Sequence, residues 1–238
     1  MPEAVAAVMQ MLASGEHHQV VTMNATMLYR AVRDEKFRRL VTSASLVTPD
    51  GMGVLLVARI LGAPFPEKVS GVDLAARLCE ACAEEGVRVF LLGAAPGVAE
   101  GAAQNLLARY PGLQIAGVQH GYFDGREEPA VIKAIRTAGA RLLLVGLGFP
   151  RQEEWIASHL HESSAAVGMG IGGSLDVYAG RTRLAPEWVR RAGLEWAYRL
   201  LREPRRWTVA ITLPLVILMA LRERAAMLLR GRFRSRGE

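Results

Sequence analysis

Val87-Arg88-Val89-Phe90-Leu91-Leu92 runs into Gly93-Ala94-Ala95-Pro96-Gly97, and then into the helix-like stretch Val98 to Arg109. A short, nearly continuous apolar run bounded by glycine and proline reads as a strand buried on both faces. The residues after the turn carry helical spacing, so the unit is strand, tight turn, helix. The same order recurs on either side. Gln19 to Met23 precedes a helical pattern over Ala25 to Leu40, and Ala44 to Val47 leads through Thr48-Pro49-Asp50-Gly51-Met52-Gly53 into Val54 to Leu61. Downstream, Leu113 to Val118 precedes Glu127 to Gly139, Arg141 to Leu147 precedes a helix reaching Leu160, and Ala165 to Ile171 ends in Gly172-Gly173. Alternation of this kind predicts an α/β fold: a Rossmann-like, mostly parallel sheet of about six strands with helices on both faces.

The chain has 238 residues, 51% of them hydrophobic, enough for one large domain or one domain with an appendage. Its net charge of +6 is unevenly placed. Residues 181–238 hold fourteen Arg against five Glu, whereas residues 1–180 hold fifteen Lys and Arg against eighteen Asp and Glu. The basic excess therefore belongs to the C-terminal stretch, and the expected division is an α/β domain over 1–186 and a basic, partly apolar helical appendage over 187–238. Such a tail next to apolar residues points first to an anionic membrane surface or to phosphates, and only second to nucleic acid. The start of the chain lacks the basic, apolar pattern of a secretory signal, and a reducing cytoplasmic setting is expected. Cys79 and Cys82 have redox spacing but lie mid-helix with no second pair, so both are read as core residues.

In a parallel sheet, ligands meet the loops at the C-terminal strand ends. Polar residues cluster there. Asp50 follows Pro49 in a turn carrying two glycines, and reads either as a helix cap or as a functional carboxylate. Thr22 and Asn24 end the first strand and allow the same two readings. Ser70-Gly71-Val72-Asp73 fits a capping box. Pro150 suits a first helical turn, and the glycines before it make that helix start a good anion site. No Asp-x-Asp occurs, His159 and His161 lack partners at zinc spacing, and no Gly-x-Ser-x-Gly elbow is present. No metal and no cofactor are expected.

The tail begins near Pro186. Glu187 to Arg202 is expected to be one helix, with Trp188, Ala192, Trp196 and Leu200 on one stripe, and Arg199, Arg202 and Arg206 on a shared face unless Pro204 breaks it. The uncharged run Thr208 to Leu221, interrupted by Pro214, would span only about 21 Å as a helix, against about 30 Å of hydrocarbon. It is too short to cross a bilayer; lying in the interface and packing on the domain both remain open. Arg-rich residues then flank Met227, Leu228, Leu229 and Phe233, a basic amphipathic composition.

Six motifs occur in order: Thr22-x-Asn24, Pro49-Asp50-Gly51, Gly71-x-Asp73-Leu74, His120-Gly121-Tyr122-Phe123, Gly146-Leu147-Gly148-x-Pro150-x-Gln152-Glu153, and Gly172-Gly173-Ser174-x-Asp176. Together they resemble the WecG/TagA/CpsF glycosyltransferases over roughly residues 5–207. The resemblance implies an inverting, metal-independent enzyme that moves a sugar, N-acetylmannosamine in the best-studied branch, from a UDP-sugar to a polyprenyl-diphosphate-linked sugar. That acceptor is undecaprenyl-diphosphate N-acetylglucosamine, and the polymers served are cell-surface polysaccharide or teichoic acid. It further implies Asp50 as the base, Thr22 and Asn24 on the acceptor side, Gln152 against substrate, and Arg199 and Arg206 of the appendage beside the diphosphate. Tyr122 and Asp176 are candidates for the nucleoside, with Gly146 and Gly148 lining the substrate. Relatives commonly carry Arg where this chain has Lys68; lysine keeps the charge but loses the bidentate fork. The implied place of action is the inner face of the cell membrane, bound peripherally through the tail. A homo-oligomer is left open. Two competing readings stand beside this one: a nucleotide- or NAD-binding oxidoreductase, weakened by the missing G-x-G-x-x-G order, and a non-catalytic membrane-surface adaptor.

Overall fold

The computed structural model describes residues 1–202 and 207–234. The elements in order are α1 (Pro2–Ala13), β1 (His18–Met23), α2 (Ala25–Arg33), α3 (Glu35–Ser43), β2 (Leu46–Pro49), α4 (Met52–Leu61) and α5 (Gly71–Glu85). There follow β3 (Arg88–Gly93), α6 (Val98–Arg109), β4 (Gln114–Gln119), α7 (Glu128–Ala138), β5 (Leu142–Gly146), α8 (Arg151–Ser163) and β6 (Val167–Gly170). The chain closes with α9 (Ser174–Tyr178), α10 (Glu187–Arg191), α11 (Glu195–Arg202) and α12 (Trp207–Arg234).

All six strands form one parallel sheet in the order β2-β1-β6-β5-β3-β4. Its central strands are apolar on both faces because both faces are covered. Val89, Leu91, Leu142 and Leu144 pack with Leu74, Leu78, Ala102 and Leu106 of α5 and α6. Their neighbours Phe90, Leu92, Leu143 and Val145 point the other way, onto Ile132 and Ile135 of α7 and Trp155 and Ile156 of α8. This is the period-two alternation of a strand, with a helix layer on each side. Cys79 and Cys82 sit in the first of these layers, fully buried, and burial pushes both thiols up to about 12. They are inert core residues. At the C-terminal ends of β3 and β5 the backbones come so close that a Cβ on Gly93 would lie 2.4 Å from the carbonyl of Gly146. With φ at 135°, that position admits only glycine.

The chain forms two compact units. The first comprises Met1–Thr22, Arg39–Thr48 and Val69–Leu184; the second comprises Met23–Arg38, Pro49–Lys68 and Ala185–Glu238. Within the second unit, Val216 and Ala220 of α12 are buried with Val57 of α4 and pack on Leu28 and Tyr29 of α2. Thr212, Val216 and Ala220 recur every four residues and are the buried stripe of α12, and the hydroxyl of Thr212 lies 3.2 Å from that of Thr26. The apolar run of the tail thus packs against α2 and α4. Exposed on α12 are Ile211, Leu218, Leu221, Met227, Leu228 and Leu229, with Arg222, Arg224 and Arg230 also in solvent. Among the described residues, no helix is long and apolar enough to cross a membrane.

Local differences from the sequence reading have local causes. The pattern over 25–40 is two helices, because the Asp34 carboxylate accepts both the Phe37 N–H at 3.1 Å and Arg30 Nε at 3.0 Å, which starts α3 afresh. The expected single helix 187–202 breaks at Gly193, which is left-handed at φ 73°, so Trp188 and Trp196 belong to separate helices. Pro214 does not interrupt α12; it removes one backbone donor and the helix continues. Ser70 stands at the N-cap of α5 without a side-chain capping bond.

Candidate active site

Four of the strand-end loops border one cleft of about 800 Å³ in the first unit. Ala94 and Ala95 follow β3, Gly121 to Asp124 follow β4, Gly146 to Gly148 follow β5, and Gly172 and Gly173 follow β6. Asp176 completes the lining together with Glu127 and Arg151. Tyr122, Gly146, Gly148 and Asp176, all named from the sequence, therefore share this cleft. Tyr122 is 72% exposed, so its ring is open to whatever enters the cleft. The carboxylate of Asp176 accepts no hydrogen bond among the described residues, whereas that of Asp124 accepts the Arg126 N–H at 2.8 Å.

Behind the cleft lies Gln152, which is buried and does not line it. Its Oε1 accepts the Gly172 N–H at 2.9 Å, and its Nε2 donates to Glu153 Oε1 at 2.7 Å. The amide is thus held at both ends and fixes the Gly172-Gly173 turn. A Cβ on Gly170 would meet Gln152 Nε2 at 2.7 Å and Glu153 Oε1 at 2.9 Å, which is why β6 ends in glycine. Glu153 is 2% exposed, and its Oε2 has no partner among the described residues. Burial pushes its carboxyl up to about 7, against the opposing hydrogen bond from Gln152. Thr22, also buried, donates to the Gly170 carbonyl at 3.3 Å and packs against Gly71, where a Cβ would lie 3.0 Å from its hydroxyl.

The second unit has its own cavity, of about 240 Å³. Strand β1 leads into Asn24 and strand β2 into Asp50, and both residues line it with Lys68. Met52, Trp196, Leu200 and Leu213 supply apolar walls. Gly53 sits where α4 and α12 touch: a Cβ there would lie 2.5 Å from Leu213. Asn24 is the N-cap of α2, its Oδ1 accepting Thr26 N–H at 3.0 Å and Met27 N–H at 3.1 Å. At α4 the N-cap position falls to Gly51, at φ 104°, not to Asp50. The Asp50 backbone N–H is held by the Met23 carbonyl at 2.7 Å, so the loops after β1 and β2 are tied together. Lys68 Nζ pairs with Glu195 Oε2 at 3.3 Å.

Of the remaining candidates, Arg199 lies in α11, the helix that also carries Trp196 and Leu200. Arg206 lies outside the described residues. Three residues escaped the sequence reading. Arg151 donates to the carbonyls of Gly121 and Phe123, at 3.0 Å each, and its guanidinium stacks 4.8 Å from the Phe123 ring, bracing the loop that carries Tyr122. Glu153 was legible only as part of a motif; nothing in its neighbours marks it as buried. Glu195 heads α11 in the structure but falls mid-helix in the single helix expected over 187–202, where an acid reads as an ordinary exposed charge. Among the described residues, no group of three or more His, Cys, Asp or Glu is placed to hold a metal ion.

A model of the Glycosyl transferase WecG/TagA/CpsF family matches residues 1–229. The chain is 33% identical over 204 residues to the N-acetylglucosaminyldiphosphoundecaprenol N-acetyl-beta-D-mannosaminyltransferase of Bacillus subtilis (strain 168), covering 86% of this chain and 79% of the relative. It is 33% identical over 207 residues to the enzyme of the same name from Bacillus spizizenii, covering 87% and 80%. Against that of Staphylococcus aureus (strain MW2) it is 36% identical over 187 residues, covering 79% and 73%. The cleft at the strand ends, the missing dinucleotide fingerprint and these likenesses agree, and the chain belongs to the WecG/TagA/CpsF family of glycosyl transferases.

Proposed function

We propose that this enzyme transfers N-acetylmannosamine from a UDP-sugar to undecaprenyl-diphosphate-linked N-acetylglucosamine, with inversion and without a divalent metal, in the synthesis of a cell-wall polymer. The names of the relatives supply the acceptor and the sugar. The observation that carries the chemistry is Asp50, a strand-end carboxylate beside Asn24 and Lys68 in a half-apolar cavity. In one displacement, the acceptor hydroxyl oxygen attacks the anomeric carbon and its proton passes to the Asp50 carboxylate. The bond from that carbon to the diphosphate oxygen breaks, and UDP leaves with the electron pair.

The cleft of the first unit is assigned to the nucleoside. Asp124, Glu127 and Asp176 make it acidic, which suits N–H and O–H donors of a base and ribose and disfavours a diphosphate. Tyr122 is free to stack on the base, and Gly146 and Gly148 let the backbone approach it. Gln152 serves by fixing the Gly172-Gly173 turn, and Thr22 by holding the end of β1. Lys68, Arg199 and Arg206 are assigned to diphosphate charge, as point charge and forks respectively. The exposed leucines of α12, with Ile211 and Met227 and flanking arginines, suit an anionic membrane surface. The assigned location is peripheral, on the inner membrane face, where a lipid-linked acceptor is confined.

The Asp50→Asn variant tests the mechanism. Asparagine keeps the size and one acceptor oxygen but cannot take a proton, so turnover falls by about two to four orders of magnitude while UDP affinity stays near wild type. Measured by UDP release with a lipid-diphosphate acceptor, near-normal turnover removes Asp50 from the mechanism.

A further inference from the structure

Lys68 and Glu195 are 127 residues apart in the chain, yet they form an ion pair with only 19% and 17% of their side chains exposed. Both line the cavity that holds Asp50, among Met52, Trp196, Leu200 and Leu213. An ion pair taken this far out of water recovers little net stability, because each charge has lost its hydration. Removing Glu195 is costly, since the Lys68 charge loses its counter-ion. The pair is therefore weakly held as a pair and strongly held against a vacancy: whatever displaces one partner must bring equivalent charge. A diphosphate brings more negative charge than a carboxylate and as many acceptor oxygens for an ammonium group.

We propose that Glu195 is a stand-in anion: it pairs with Lys68 and is displaced when a diphosphate group of the substrate arrives. Displacement frees the first turn of α11, and with it the wall formed by Trp196 and Leu200. Entry of the anion and repositioning of α11 are thereby one event. The inference rests on the assignment of Lys68 to diphosphate made above, and adds to it the residue that competes for that charge. A latch of this kind lowers apparent affinity by the fraction of molecules in which it is open. With Glu195 neutralised, that tax disappears.

The test uses the full chain and inorganic pyrophosphate, with tryptophan fluorescence as readout, since Trp196 lines the cavity. E195Q is expected to bind pyrophosphate about five- to thirty-fold more tightly than wild type. The same change in a K68M background should have no effect, because no ammonium remains to release. An equal gain with and without Lys68 would mean bulk charge repulsion only, and would overturn the latch, as would no gain at all. UDP and farnesyl diphosphate are then titrated separately. The one whose affinity rises in E195Q only when Lys68 is present is the diphosphate that Lys68 meets; if neither rises, the proposal falls. Should E195Q not fold, the wild type decides: amide hydrogen exchange over residues 198–201, the first hydrogen-bonded N–H groups of α11, speeds up on pyrophosphate binding if Glu195 lets go. Unchanged or slower exchange refutes it. None of these measurements involves sugar transfer. An enzyme that moves no N-acetylmannosamine but shows this pattern would refute the proposed activity alone, and an active enzyme without the pattern would refute the latch alone.

Discussion

Glu153 couples the stability of the first unit to pH, and the sign and size follow from its surroundings. The side chain is almost fully buried, one oxygen accepts the Gln152 amide, and the other has no partner among the described residues. Desolvation therefore dominates and carries the carboxyl from 4.5 to about 7. In the unfolded chain the group ionises near its ordinary value; in the folded chain it keeps its proton. Stability from that proton is full below about 4.5 and is lost as pH rises through about 7. At 1.36 kcal/mol per pH unit, the whole effect is about 3 kcal/mol, of which about 2.5 kcal/mol falls between about pH 5 and about pH 8. The perturbation is Glu153→Gln, which keeps an oxygen for the Gln152 amide and cannot ionise. Whatever constant cost the new amide brings is the same at both pH values, so the slope isolates the carboxyl. Trp155 is the one tryptophan of the first unit, and with Trp188, Trp196 and Trp207 replaced by phenylalanine it reports that unit's urea unfolding alone. Wild type should lose about 2.5 kcal/mol more than the variant between the two pH values. Equal losses would mean that Glu153 is ionised or hydrated in the folded protein, and would refute the reasoning.

Two further outcomes follow from the tail and from the assignment of the diphosphate to basic side chains. Val216→Ala removes two buried methyl groups from the contact of α12 with α2 and α4, and should cost about 2–3 kcal/mol in the second unit, whereas Leu218→Ala, at a residue 46% exposed, should cost under about 1 kcal/mol. Equal costs in urea unfolding without lipid would show that α12 does not pack in solution. Sugar transfer should survive excess EDTA, since the proposed mechanism gives the diphosphate charge to Lys68, Arg199 and Arg206; loss of activity with rescue by magnesium or manganese would overturn this.

The sheet was legible because its signal is local and repeated. A strand buried on both faces must be apolar throughout, and Val89 to Leu92 and Leu142 to Val145 announce that without reference to anything distant. Breaks inside helices were less legible, because they turn on one side chain or one dihedral: the Asp34 carboxylate turning back to Phe37, or Gly193 going left-handed. Hydrophobic spacing runs straight across both. The candidate site was legible as motifs, since strand ends in a parallel sheet are where polar residues gather for a reason. Which of those residues face a cavity was not. Thr22 and Gln152 read like ligand contacts, yet their polar atoms are engaged with Gly170 and with Gly172 and Glu153. Glu195 could not be found from the sequence, because its partner lies 127 positions away and only the packing of the second unit brings the two together.

The cavity around Asp50 has a polarity that composition alone does not convey. Asn24 has spent its carbonyl oxygen on two backbone N–H groups of α2, so its amide nitrogen is the end left to face a ligand. An amide nitrogen only donates, and an ionised carboxylate only accepts. Capping and chemistry are then not rival uses of Asn24: the cap orients the amide, and the orientation fixes which groups it can meet. A hydroxyl that is to become a nucleophile needs one neighbour that donates to its oxygen and another that accepts its hydrogen. In the proposed mechanism Asn24 supplies the first and Asp50 the second, on adjacent loops already joined by the Asp50 N–H to the Met23 carbonyl. Exchanging Asn24 for aspartate would preserve the helix cap and replace the donor by a second acceptor, so the chemistry would suffer where the fold does not.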